Sequence, residues 1–217
     1  MPRPRTFLVA LVMLALLLPS APAAARQIDA RDRPRVSGPL DPRARDCKTR
    51  WERWRGRIIA VARSCVRFYR FRPGFETDTR RNYGVVWLQT TVDSRRSWCT
   101  SIVRSDIDIP LGARLHERAP DAFNARTARP VRTRLNVGAR GFALERAVVH
   151  KRFTLFPRRL RSHRNAAARA WRTVWHGSTK AVVAAASGIA ISWPQEAAPP
   201  SPVTSGLRYE LRRTARC

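Results

Sequence analysis

The sequence predicts an all-β domain, an antiparallel β-sandwich of immunoglobulin-like or similar kind, on three observations. Short runs of β-branched and aromatic residues recur along the chain, residues 85–92 (VVWLQTTV) being the clearest. Turn residues separate these runs, as at Pro73-Gly74, at 93–97, at Gly138 and Gly141, and at 177–179. Apolar and polar positions alternate within them, as over 131–137, where Val131, Thr133, Leu135 and Val137 share one face.

Taken in order, the chain opens as a secretory signal peptide over 1–25. Arg3 and Arg5 supply a basic start, residues 7–18 an unbroken apolar run, and Ala23 and Ala25 small residues for cleavage after Ala25. The apolar run is shorter than the roughly 20 residues that span a bilayer, so the mature chain is expected to carry no transmembrane segment. Residues 26–46 are polar and rich in charge, with Pro34, Gly38 and Pro42, and read as a disordered basic lead-in. Residues 47–217 then form a single secreted domain.

Within that domain, Trp51, Trp54, Ile58, Val61 and Cys65 recur at helical spacing, while residues 58–61 and 66–71 favour a strand. One helix over 47–65 would hold Cys47 and Cys65 about 27 Å apart, too far to bridge. The reading is therefore a short helical or irregular segment over 48–55 followed by a long strand over 57–71. Strands are expected at 85–92 and 98–109, the second stopped by Pro110, and again at 131–137. One or two more fall within 142–156, ended by Pro157. Residues 171–175 alternate. Residues 180–193 make a strand or strand pair interrupted by Gly188. Residues 197–202 form a proline-rich loop and 207–211 a last strand. The alanine-rich stretch 165–171 is the one helical rival and is only about two turns long.

Cys47, Cys65, Cys99 and Cys217 make an even count in an exported chain and suggest two disulfides. Four cysteines permit three pairings, and sequence alone does not choose. The expected one joins Cys47 to Cys65 across a short loop and Cys99 to Cys217, which ties down the last residue. No C-x-x-C or H-x-x-x-H spacing points to zinc, and no metal or cofactor is expected.

The 217 residues carry a net charge of +28, and of the 43 basic residues only Lys48, Lys151 and Lys180 are lysines. The arginine preference reads in part as codon usage of a GC-rich bacterial genome. The 15 acids do not, because Asp and Glu also have GC-rich codons, so the field is physical. Such a surface attracts polyanions: wall polymer, nucleic acid, or an anionic lipid surface. Arginine suits phosphate because its planar fork donates two hydrogen bonds at once. The densest cluster, Arg158, Arg159, Arg161 and Arg164, is the candidate polyanion-binding site.

No catalytic residue is nominated. A secreted non-enzymatic protein binding anionic envelope or extracellular polymers is the first reading. The second is a polyanion hydrolase such as a basic ribonuclease, for which His150, Lys151, His176 and Lys180 are the available acid, base and cation set. The third is a cationic membrane-active protein, which would need an amphipathic helix in the 48–64 stretch. Asp106 and Asp108 lie two apart on one strand face, where pairing with arginine is favoured over calcium. Trp171 and Trp175 also share a face and are expected in the core.

Overall fold

The computed structural model describes residues 34–75, 78, 80–95, 97–126, 131–137, 147–153, 158–167, 169–180, 182–199, 204–214 and 217. Residues 1–25, read as a signal peptide, residues 26–33 and the expected turn at 138–141 lie outside them. The described residues build thirteen strands: β1 (Arg35–Ser37), β2 (Leu40–Trp54), β3 (Arg57–Phe71), β4 (Arg81–Ser94), β5 (Trp98–Asp108), β6 (Arg114–Ala119), β7 (Phe123–Asn124), β8 (Val131–Val137), β9 (Ala147–Phe153), β10 (Arg159–Asn165), β11 (Ala170–Thr179), β12 (Val183–Pro194) and β13 (Thr204–Arg213). All pairings are antiparallel.

The strands form three sheets. A central sheet has the order β2-β3-β4-β12-β6, a second sheet β13-β5-β11-β10-β7, and a third, small sheet β1-β9-β8. The inner strands of the central sheet are buried on both faces, which explains why β4 and β12 read as nearly continuous apolar runs rather than alternating ones. On one face, Val66, Phe68, Val86, Leu88, Ile189, Ile191 and Trp193 pack with Ile107 and Trp171 of the second sheet. On the other, a side chain at Gly188 would meet the Trp87 ring at 2.8 Å and Leu135 of the third sheet at 3.6 Å. Thr133, also on β8, donates its hydroxyl to the Ala186 carbonyl at 3.0 Å. The predicted sandwich is thus present, with a third sheet layered on its outer side.

The N-terminal half of the domain differs from the sequence reading. Residues 48–55, expected to be helical or irregular, continue β2. The disordered lead-in is strand from Arg35 to Ser37 and again from Leu40 onward. Strand pairing prevails because it puts Cys47 directly opposite Cys65 and joins them in a disulfide with Cα atoms 4.1 Å apart. The helical spacing of Trp51 and Trp54 is coincidental, since a bulge at Glu52/Arg53 intervenes and both rings stay exposed. The turn between β2 and β3 takes Arg55 and Gly56 at positive φ, 47° and 75°, the twist that a tight two-residue hairpin demands.

Two further expectations are corrected. The turn at 177–179 is strand, carried through a register shift between His176 and Thr179. Gly188 does not interrupt β12, which pairs unbroken with β4 from Val183 to Pro194. The helical rival at 165–171 includes the last residue of β10 and the first two of β11. Cys99 and Cys217 form the second disulfide, as expected. Among the described residues, no helix is long and apolar enough to cross a membrane.

Candidate functional site

The second sheet turns one face inward and one outward, and strand alternation assigns each side chain. Val103, Ile107, Leu160, Trp171 and Trp175 are buried; their neighbours in sequence carry the outward face. Register aligns those neighbours in cross-strand rows. Arg208 stands opposite Arg104, Arg104 opposite Val174, and Val174 opposite Arg161. The next row runs Gly206, Asp106, Arg172, His163, and the one on the other side Glu210, Ile102, His176, Arg159. Strands lie about 4.8 Å apart, so the row from Arg208 to Arg161 crosses roughly 14 Å. Arginines contributed by four strands therefore share one surface.

Asp106 is the buried acid of this face. It accepts Nε and Nη2 of Arg172 at 2.9 and 3.0 Å and Nη2 of Arg104 at 3.3 Å. The expected pairing of Asp106 with arginine is therefore found, and its partners are residues that sequence reasoning did not single out. The bond to Asp106 raises the Arg172 pKa further and keeps the guanidinium charged. His176 is shifted down, first by burial and then by Arg159 and Arg161, with Glu210 opposing. The imidazole thus senses the positive field of the face.

The predicted cluster is divided by the fold. Arg159 and Arg161 belong to the outward face. Arg164 is exposed but sits at an odd offset from them, on the other side of the pleat. Arg158 precedes the strand, and its amide donates to the His176 carbonyl at 3.2 Å. The missed members, Arg104, Arg172 and Arg208, stand on three different strands: Arg104 lies two positions from Asp106 and Arg208 two from Glu210, whereas Arg172 stands between Ala170 and Val174, and only the register unites them.

At the β13 edge the face opens into a groove of about 400 Å³ bounded by Arg50, Glu52, Ile102, Arg104, Arg208 and Glu210. Tyr209 donates its hydroxyl to Glu52 Oε1 at 2.7 Å, and Arg50 Nε reaches the same oxygen at 2.6 Å. Burial, then the bond to Glu52, drives the Tyr209 pKa upward, so the phenol stays protonated and donating.

Of the residues available to a hydrolase, His150 and Lys151 lie on β9 in the third sheet and His176 on β11 in the second. The 48–64 stretch, the one place left for an amphipathic cationic helix in the membrane-active reading, is a β-hairpin.

Comparisons with protein families, with curated proteins and with solved structures find no match to this chain.

A second polar cluster joins β4, β6 and β12. Arg81 Nε donates to Ser192 Oγ at 2.8 Å, and that oxygen lies 2.7 Å from His116 Nε2. The Ser192 hydroxyl has one proton and two lone pairs, so the tautomer of the neutral imidazole sets which of the two donates. Burial and the charges of Arg81 and Arg114 lower the His116 pKa and hold the neutral form. Ser192 is fully buried at 0% exposure, so the trio ties strands together and does not present a nucleophile. Among the described residues, no group of three or more His, Cys, Asp or Glu is placed to hold a metal ion.

Proposed function

We propose that this is an exported, non-enzymatic binding module whose ligand is an anionic polymer. Its arginine-bearing outward sheet face would hold the phosphate groups of that polymer. The observation that carries the reading is the cross-strand row Arg208, Arg104 and Arg161, flanked by Arg159. Local sequence does not create that juxtaposition. It requires four strands in one register, on a sheet whose other face is committed to the core.

Phosphate is the favoured charge because each guanidinium can offer it two parallel donors. A rigid sheet also holds these arginines without the ordering cost of a loop. The apolar leader and the two disulfides support an oxidising compartment outside the cytoplasm.

The test is binding of a fluorescent 20-nucleotide single-stranded DNA, as a phosphodiester polymer, and of isolated wall polymer across a salt series. Wild-type affinity should fall steeply with salt. R104A, R161A and R208A should each lower the slope of log K against log salt by about 1. Unchanged slopes in all three would remove this face from the reading. Shortening of either polymer during the assay would replace binding by hydrolysis.

A further inference from the structure

The tip of the β2–β3 hairpin carries an aromatic ring held between cations from two sheets. Trp54, 37% exposed, has the Arg55 guanidinium 4.5 Å from its ring centroid and the Arg213 guanidinium 5.0 Å from it. The edge of Trp98 meets it with centroids 6.0 Å apart. Arg55 comes from the hairpin turn, whereas Arg213 is the last residue of β13 in the second sheet. Among the described residues, neither guanidinium is paired with a carboxylate.

Three features mark this as a built arrangement. First, Arg55 holds φ at 47°, a left-handed conformation that disfavours a residue with a Cβ and that glycine would adopt without cost. Second, the turn is braced by Arg53, whose Nη1 donates to the Gly56 carbonyl at 3.3 Å. Third, a guanidinium stacked on an indole keeps its N–H edge directed away from the ring, so stacking leaves the donors available. The two guanidinium carbons can be no farther apart than the sum of their centroid distances, 9.5 Å. Neighbouring phosphates of one polymer, passing the exposed edge of the ring, can therefore each offer an oxygen to one guanidinium through a charge-assisted bond of about 2.8 Å.

We propose that Arg55, Trp54 and Arg213 form an anion clamp for neighbouring phosphates of a phosphodiester chain, a second anchor for the polymer held by the arginine face. The indole positions the cations and the two guanidiniums bind the phosphate oxygens. The identity of the polymer rests on the reading above; the clamp itself stands on its own geometry.

The experiment uses the full oxidised chain with three probes. Inorganic tripolyphosphate is titrated while the Trp54 indole N–H resonance, assigned with W54F, is followed. The 20-nucleotide single-stranded DNA is bound across a salt series, and phosphatidylglycerol vesicles provide the headgroup arm. R55G and R213A are compared with wild type. A saturable shift of the Trp54 resonance, lost in both variants, is expected. So is a fivefold to tenfold loss of DNA affinity in each, with the salt slope lower by about 1. R55G removes a cation while relieving the left-handed residue, so its urea midpoint should hold or rise as affinity falls, which separates loss of the clamp from loss of fold.

An unmoved resonance with unchanged DNA affinity overturns the clamp. Vesicle binding that depends on Arg55 and Arg213, without DNA binding that does, overturns its assignment to a polymer. A saturable shift with no DNA binding by wild type leaves the clamp standing and removes the polymer reading of the sheet face.

Discussion

Asp106 on β5 and Arg172 on β11 stand opposite one another in the strand register and join through a two-pronged bond, Nε to Oδ1 at 2.9 Å and Nη2 to Oδ2 at 3.0 Å. Arg104, two residues along from Asp106, shares the same carboxylate. One acid thus fixes two arginines on a face whose other arginines, Arg161 and Arg208, are exposed. It lowers the repulsion that four strands of cationic side chains would otherwise build up.

The first prediction follows from that economy. Asp106→Ala leaves two partly buried guanidiniums without their anion, and removing one partner of a buried pair is costly. The partial exposure of both arginines moderates the penalty to roughly 3 kcal/mol, below the upper end for fully buried pairs. Urea unfolding should show it as a lower midpoint at unchanged m-value. A midpoint equal to wild type would mean that the fork contributes nothing net.

The two disulfides should differ in worth. Cys99–Cys217 spans a sequence separation of 118 and Cys47–Cys65 one of 18. In the chain-entropy treatment, the longer loop contributes roughly 5 kcal/mol and the shorter roughly 3. C99A/C217A should therefore lower stability by more than C47A/C65A, by about 1.7 kcal/mol. The reverse order, in paired denaturation curves, would place the larger share in native-state contacts of the β2–β3 hairpin.

Acid should weaken the fold through its histidines. The pKa values of His116 and His176 are both lowered below 6.5 by burial and neighbouring arginines, so below that value the unfolded chain binds more protons than the folded one. Their contribution is complete above about pH 6.5. It is lost as the pH falls from there toward the folded-state pKa values, and then levels off. Unfolding free energy measured from pH 8 to pH 5 should decline across this window. H116Q/H176Q should flatten that decline; an equal decline in the double variant would assign it to other groups.

Much of the fold was legible because a strand announces itself locally. Residues 85–92 are a run rich in β-branched and apolar residues and 131–137 alternate with period two, and both fall in strands. The cysteine pairing was one of three that the sequence left open; the favoured one, Cys47 with Cys65 and Cys99 with Cys217, is the one formed. The polar strands β2, β6 and β10 were not. Each has a single fully buried side chain, so no apolar rhythm marks them and only their neighbours make them strands. The arginine face was hidden for a related reason. Arg161 was visible as part of a run, but Arg104 and Arg208 become its neighbours only through pairing of β13, β5, β11 and β10.

Glycine gives the last prediction and the sharpest contrast between pattern and packing. In the sequence, Gly188 looks like a break in a strand. In the structure it lies mid-strand because Trp87 occupies the volume its side chain would need: a Cβ there would stand 2.8 Å from one ring atom and 3.2 Å from another. Gly84, opposite Arg70 on β3, is tighter in kind, since its Cβ would meet the Tyr69 carbonyl oxygen at 2.7 Å and the Phe68 ring at 2.8 Å. A ring can tilt, whereas a paired backbone carbonyl cannot move without shifting the strand. Overpacking of this sort costs roughly 1–3 kcal/mol, so G188A should fall near the lower end and G84A near or above the upper. Thermal unfolding of the two variants alongside wild type reads the order directly. Equal losses would show that the β3–β4 pairing yields as easily as the Trp87 ring.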